Sequence, residues 1–219
     1  MIKSVVFDMD GVVVDSEPLY QRAEESLFQE YGVTIPPEDW KLFRGCTEER
    51  FYELARNRYG ITAPLEQLRV KGRQRVLEEF DAGLDYNQGF LDLHTRLADH
   101  YRLGLVTSTP GDIFQWMEQK IGLDRYFDEV ITGGMTVNNK PHPEPYLEMM
   151  RRLGVTPAET AIVEDSINGL TSAIASGAWT IALTGSVPLE DMPPTNAVIH
   201  SLEEITIPFL DNLVAESHE

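Results

Sequence analysis

The stretch Ser4-Val5-Val6-Phe7-Asp8-Met9-Asp10-Gly11-Val12-Val13-Val14-Asp15-Ser16 decides the fold. A short apolar run bounded by polar residues is the pattern of a strand buried on both faces of a sheet, and this one delivers two carboxylates at its carboxyl end. In open α/β sheets that end is where ligands bind. On a continuing strand Asp8 and Asp10 share a face, and Gly11 lets the backbone leave that direction without a steric penalty. Two acids crowded into an apolar site repel each other unless a cation or a shared proton relieves them, so the pair reads as a metal-assisted site. An EF-hand calcium loop fits poorly, because its glycine stands at the sixth position and Gly11 is fourth counting from Asp8.

Beyond Ser16, which is placed to cap a helix, Glu17-Pro18 open a helical pattern that Gly32 ends. Helical spacing continues over Glu38 to Phe43, Glu48 to Tyr59 and Pro64 to about Phe80, with no clear strand between residues 16 and 85. From Gly89 the pattern alternates. A helix to about His100 precedes a strand Leu103 to Thr107, helix Asp112 to Ile121 precedes a strand Glu129 to Thr132, and helix Tyr146 to Leu153 precedes a strand Ala161 to Val163. Helix Ile167 to Ser176, strand Thr180 to Leu183 and a weaker unit from Val198 complete the chain. Strands alternating with helices imply an α/β fold with a parallel, doubly wound sheet. The expected organisation is a core of residues 1–15 and 86–219 interrupted by a helical insertion, 16–85. Hinges are expected near 15–18 and 82–89, the second set containing Gly83 and Gly89.

The 219 residues suffice for a substantial core, and 42% apolar with 25% charged residues is ordinary for a soluble globular protein. No run approaches the roughly 18 apolar residues of a membrane span, and Asp8 interrupts the first apolar run too early for a signal peptide. A single cysteine, Cys46, permits no internal disulfide and no thiolate cage, so a reducing cytoplasm is the expected location. The net charge of −18 argues against nucleic acid or an anionic membrane surface as partner. Nine of the 18 Lys and Arg nevertheless fall between Lys41 and Arg75. Most are expected on a solvated helical surface, with one or two available to an anionic substrate.

Further polar groups stand where such a sheet would bring them beside Asp8. Thr107 and Ser108 end one strand, Glu164 and Asp165 end another, and Lys140 lies in a loop rich in Gly, Asn and Pro. Each alone has a bland reading as a helix cap, a strand-end acid or a solvated lysine. Together, in order, the motifs Asp-x-Asp-Gly-x-x-x-Asp-Ser, Val-Thr-Ser, Lys-Pro-x-Pro and Val-Glu-Asp-Ser-x-x-Gly resemble those of the haloacid dehalogenase-like (HAD) superfamily. Within it, the resemblance is to the helical-cap phosphatase and β-phosphoglucomutase branch.

That resemblance implies a Rossmann-like core with an inserted all-helical cap, and Mg²⁺-dependent phosphoryl transfer through an aspartyl-phosphate. Asp8 matches the nucleophile and Asp10 the general acid and base. Thr107, with Ser108 beside it, matches the phosphate-binding hydroxyl position, and Lys140 matches the ammonium that offsets charge around nucleophile and phosphate. Asp8, Asp10 (through its carbonyl), Asp165 and the adjacent Glu164 match the metal-binding positions. The partner implied is a small phosphorylated metabolite, a sugar phosphate or a phosphoglycolate-like acid. The chemistry suits the residue types: a carboxylate nucleophile splits a hard hydrolysis in two, and its approach to a phosphate needs positive charge. Mg²⁺ favours an oxygen-only ligand set such as this.

Mutases of the branch add cap residues for the sugar phosphate, including a histidine on the first cap helix and an arginine after a Lys-Gly turn. Tyr20 and Glu48 stand at the comparable positions here, with Arg44-Gly45 in place of Lys-Gly. A glutamate at the arginine position favours hydrolysis over mutation, and Arg44 is the candidate cap contact to substrate. Metal-free dehalogenases need neither Asp10 nor Asp165. A phospho-receiver domain, the non-enzymatic alternative, carries its acids on different strands and has no helical insertion. His142, inside Lys-Pro-His-Pro, is expected to be a loop residue. A monomer is compatible with the sequence, which does not set the oligomeric state.

Overall fold

The computed structural model describes residues 1–43 and 46–215. Six parallel strands form one sheet in the order β3-β2-β1-β4-β5-β6. They are β1 (Ser4–Phe7), β2 (Arg102–Pro110), β3 (Glu129–Gly133), β4 (Thr160–Glu164), β5 (Trp179–Leu183) and β6 (Ala197–Ile199). The chain winds outward from β1 to β3, then returns to β4 on the other side of β1. The switch point therefore lies at β1, where Val6 is in register with Gly104 of β2 and with Ile162 of β4.

Every residue of β1 is buried, as expected for a strand covered on both faces. Val5 and Phe7 pack with Phe90, Leu93 and Leu97 of α4 (Phe90–Leu97) and Met117 of α5 (Gly111–Ile121). Val6 points the other way, into a cluster with Tyr146, Met149 and Leu153 of α6 (Glu144–Leu153) and Ala173 of α7 (Ile167–Ser176). A final helix, α8 (Ile207–Ala215), adds Leu210 to the first face.

Between β1 and α4 the described residues form α1 (Glu17–Gln29), a 3-10 turn Pro37–Leu42, α2 (Glu48–Tyr59) and α3 (Leu65–Gly83). Leu27, Phe28, Trp40, Phe51, Tyr52 and Leu68 give this helical layer a core of its own. Its basic residues pair largely among themselves: Arg58 with Asp39, Lys71 and Arg75 with Glu30, and Arg69 and Arg73 with Glu48. The two crossings to the sheet run side by side. Asp15 N donates to the Asp85 carbonyl at 3.1 Å, Val14 bridges antiparallel to Tyr86, and Asn87 N donates to the Val13 carbonyl at 2.9 Å. The layer also touches the core through Tyr20 and Thr109, whose hydroxyl oxygens are 3.3 Å apart, through Arg73 and Asp112 at 2.7 Å, and through Lys120 and Asp81.

Several expectations shift. The segment expected as a helix over Glu38 to Phe43 is a 3-10 turn, Pro37–Leu42, rather than an α-helix. Helix α3 extends through Gly83, so the glycine expected in a hinge is the last helical residue, whereas Gly89 has φ 84° and starts α4. Strand β2 runs past Thr107 to Pro110, and its pairing with β3 slips between Val106 and Pro110. Ser16 occupies the N-cap position of α1 but makes no capping bond, because its hydroxyl is given to Asp10. Arg44 and Gly45 lie outside the described residues.

Candidate active site

Strand β1 ends at Phe7, so Asp8 and Asp10 stand on the turn after it rather than on a continuing strand. Both line one cleft above the carboxyl edge of the sheet. Gly11 makes the turn possible twice over: its φ is 78°, and a Cβ there would fall on Asp165 Oδ2.

Lys140 is the hub of the floor. Its ammonium donates to Asp8 Oδ1 at 2.5 Å, to Glu164 Oε1 at 2.7 Å and to the Val106 carbonyl at 2.9 Å, with only 6% of the residue exposed. Burial pulls the lysine towards neutrality, yet the Asp8 and Glu164 carboxylates outweigh it and hold the ammonium above its ordinary range. Asp8 itself is pushed well up by burial and by Glu164, against the opposing pull of Lys140.

Glu164 is fully buried and has no idle oxygen. Oε1 accepts from Lys140 and from the Tyr146 phenol at 2.8 Å, while Oε2 accepts from the Asp165 and Ser166 amides at 3.0 and 3.1 Å and from Ser166 Oγ at 3.1 Å. Burial raises the Tyr146 phenol far above its usual range, so it remains a donor. Gly169, the last residue of the Val-Glu-Asp-Ser-x-x-Gly motif, lets α7 close over this carboxylate, since any Cβ there would overlap it. Glycine to alanine inside a helix ordinarily stabilises by about 0.5–1 kcal/mol. Gly169→Ala is expected to reverse that sign, costing about 1–3 kcal/mol in urea unfolding as Glu164 is displaced; a stabilised variant would refute the packing argument.

Asp8, Glu164 and Asp165 each offer a carboxylate oxygen within 4.8 Å of the others, all three buried. Asp165 is raised well above its ordinary range by burial and by the Glu164 and Asp8 charges. Three converging carboxylates against one ammonium leave the floor short of positive charge, and oxygen-only donors suit a hard divalent cation. Because Glu164 is committed to five donors, Asp8 and Asp165 have the freer oxygens for a metal.

Asp10 is held apart from this cluster. Ser16 Oγ donates to Oδ1 at 2.6 Å, and Thr107 and Thr109 donate to Oδ2 at 3.2 and 2.8 Å. Burial raises its carboxyl and these hydroxyls pull it back only in part, leaving an acid able to hold a proton closer to neutrality. Thr107 is thus spent on Asp10 and on the Thr109 amide at 3.0 Å, whereas Ser108 Oγ is buried with no partner among the described residues and lines the cleft. His142 is remote: its ring accepts from the Glu144 amide at 3.2 Å and is largely exposed.

Thr109 and Tyr146 escape the motif reading, and Ser16, which belongs to the first motif, is read there as a helix cap rather than as a donor to Asp10. Thr109 could have been found from Thr107, since residues 107 and 109 share a face of an extended strand. Tyr146 gives no such signal, being one of many large apolar positions on its helix.

The sequence pattern that defines haloacid dehalogenase-like hydrolases matches residues 5–183, and the chain belongs to that family. Among its members the chain sits with phosphoric monoester hydrolases. It is 30% identical over 177 residues to the phosphorylated carbohydrates phosphatase of Thermotoga maritima, covering 80% of this chain and 82% of the other. It is 28% identical to the 6-phosphogluconate phosphatase of Escherichia coli, covering 80% of each. In fold it is similar to a β-phosphoglucomutase of Clostridium difficile, with a TM-score of 0.83 at 20% identity over 100% of this chain and 99% of that one.

Proposed function

We propose that this protein is a Mg²⁺-dependent cytoplasmic phosphatase that hydrolyses a small phosphorylated metabolite, a sugar phosphate or phosphoglycolate-like acid, with Asp8 as nucleophile. The observation that carries this reading is the Lys140 ammonium set between Asp8 and Glu164 at 2.5 and 2.7 Å on the floor of the cleft. A carboxylate so placed is aimed and partly neutralised, as a nucleophile that must approach an anion requires.

In the first step an Asp8 oxygen attacks phosphorus and the bond to the leaving alcohol breaks, with Asp10 donating a proton to the departing oxygen. In the second, Asp10 removes a proton from water as its oxygen attacks phosphorus, the bond to Asp8 breaks, and inorganic phosphate leaves. Lys140 holds Asp8 in line, while Glu164, fixed by Tyr146 and Ser166, holds Lys140. Ser108 Oγ is free to donate to a phosphate oxygen. Mg²⁺, held by Asp8 and Asp165, would neutralise charge on the transferring group. The helical layer, taken as a cap of residues 16–85, roofs the cleft and keeps bulk water from the acyl phosphate.

Glu48 supports hydrolysis over mutation. It is bound by Arg73 at 2.6 and 2.7 Å and by Arg69 at 3.0 Å, so an acid with its own counter-ions stands where a mutase keeps an arginine. The test is phosphate release from a panel of small monoesters with and without Mg²⁺. Chelation is expected to abolish release and added Mg²⁺ to restore it. Undiminished turnover after chelation would overturn the metal assignment, and isomerisation of β-glucose 1-phosphate without release would favour the mutase.

A further inference from the structure

The cleft, a cavity of about 140 Å³, differs in character between floor and roof. Its roof presents an aromatic wall, Trp40, Phe43, Phe51 and Tyr52. These rings brace one another edge to face, with centroids 6.0, 5.0 and 4.9 Å apart along the series. Three carboxylates of the helical layer, Glu17, Glu24 and Glu48, also line the cleft, and the last two are in opposite states.

Glu48 is neutralised by Arg73 and Arg69, and Arg73 spends its remaining terminal nitrogen on Asp112 at 2.7 Å. Arg73 is the one cation lining the roof among the described residues, and it is fully engaged. Glu24, on α1, is half-buried and accepts no hydrogen bond and joins no ion pair among the described residues. Burial, with Glu17 and Glu25 nearby, lifts its carboxyl well above the ordinary range. A carboxylate in that position lacks donors, and a partly buried acceptor without donors is costly.

The hydroxyls of a neutral alcohol would supply those donors while its C–H faces lie against the rings. A leaving group carrying a carboxylate or second phosphate would instead bring a second acceptor against Glu24, with no free cation among the described residues to receive it. We infer that Glu24 sets leaving-group specificity, accepting hydrogen bonds from the hydroxyls of a neutral sugar or polyol monophosphate and rejecting esters that bear a second anion. The inference rests on the phosphatase reading above and narrows it, removing the phosphoglycolate-like acids.

The experiment measures kcat/KM for the full chain with Mg²⁺ on a hexitol monophosphate, 6-phosphogluconate, 2-phosphoglycolate and p-nitrophenyl phosphate, for wild type, Glu24→Gln and Glu24→Ala. Wild type is expected to favour the hexitol ester over 6-phosphogluconate by at least about 10-fold, the scale of one charge-assisted hydrogen bond. Both variants are expected to lose about 10- to 100-fold on the hexitol ester and to gain on 6-phosphogluconate, so that the ratio collapses. A wild-type preference for either acid overturns the inference alone. So does an equal loss on every ester, the signature of a structural role. No release from any ester, p-nitrophenyl phosphate included, overturns the phosphatase reading and this inference with it.

Discussion

Asp8→Asn is expected to reduce turnover by at least about 10³-fold, because the amide keeps the shape of the carboxylate but cannot attack phosphorus. The fold should not suffer. Asp8 is one of three buried carboxylates around one ammonium, and the raised state of its carboxyl means that ionising it in the folded protein is unfavourable. Its replacement removes that repulsion while Glu164 still holds Lys140 at 2.7 Å. In the absence of metal, the melting temperature of the variant should equal or exceed that of wild type, and the shift caused by added Mg²⁺ should shrink. A variant that is both inactive and markedly less stable would mean that Asp8 is chiefly a structural anchor for Lys140.

Lys140→Met should do the opposite and damage both properties. Methionine fills much of the same space, so what is removed is the charge between Asp8 and Glu164, both buried. Breaking a buried pair by deleting one partner typically costs about 3–5 kcal/mol, and here two carboxylates are left facing each other. The penalty has a sign in pH. The Asp8 carboxyl is already raised by burial and by Glu164, so the deficit should be smallest below about pH 4, where Asp8 is protonated folded and unfolded, and grow as pH rises from the unfolded carboxylate range towards the raised folded one. Urea titrations at several pH values measure this directly. Adding Glu164→Gln to Lys140→Met should recover part of the stability without restoring turnover, since the residual repulsion falls but Asp8 still lacks its cation. A loss under about 1 kcal/mol for Lys140→Met would show that the three carboxylates are relieved by some other route.

The parts of this site that could be read in the sequence are those fixed by strand ends. A two-sided buried strand needs an unbroken apolar run, so Val5 to Phe7 and Ala161 to Val163 announce themselves, and the acids that follow each run must emerge at the same edge of a parallel sheet. Lys140 was legible only through its motif, because no local rule brings a residue from the β3–α6 loop across to β1. Of the hydrogen bonds that discipline Asp10, the one from Ser16 was not legible. Ser16 sits where a helix cap belongs, and nothing in the chain says that its hydroxyl turns to Asp10 instead. The roof was least legible of all. Pairing Glu48 with Arg73 requires knowing which turns of α2 and α3 face each other, a consequence of packing among Phe28, Phe51, Tyr52 and Leu68 rather than of spacing along the chain.

The paired crossings at Asp15–Asp85 and Val14–Tyr86 tie the two ends of the helical insertion to one another. Because the chain leaves and re-enters the sheet at adjacent points, closing the intervening segment costs β1 little more entropy whether that segment is long or short. Changes of sequence or length in that segment are therefore expected to leave the residues of the floor in place.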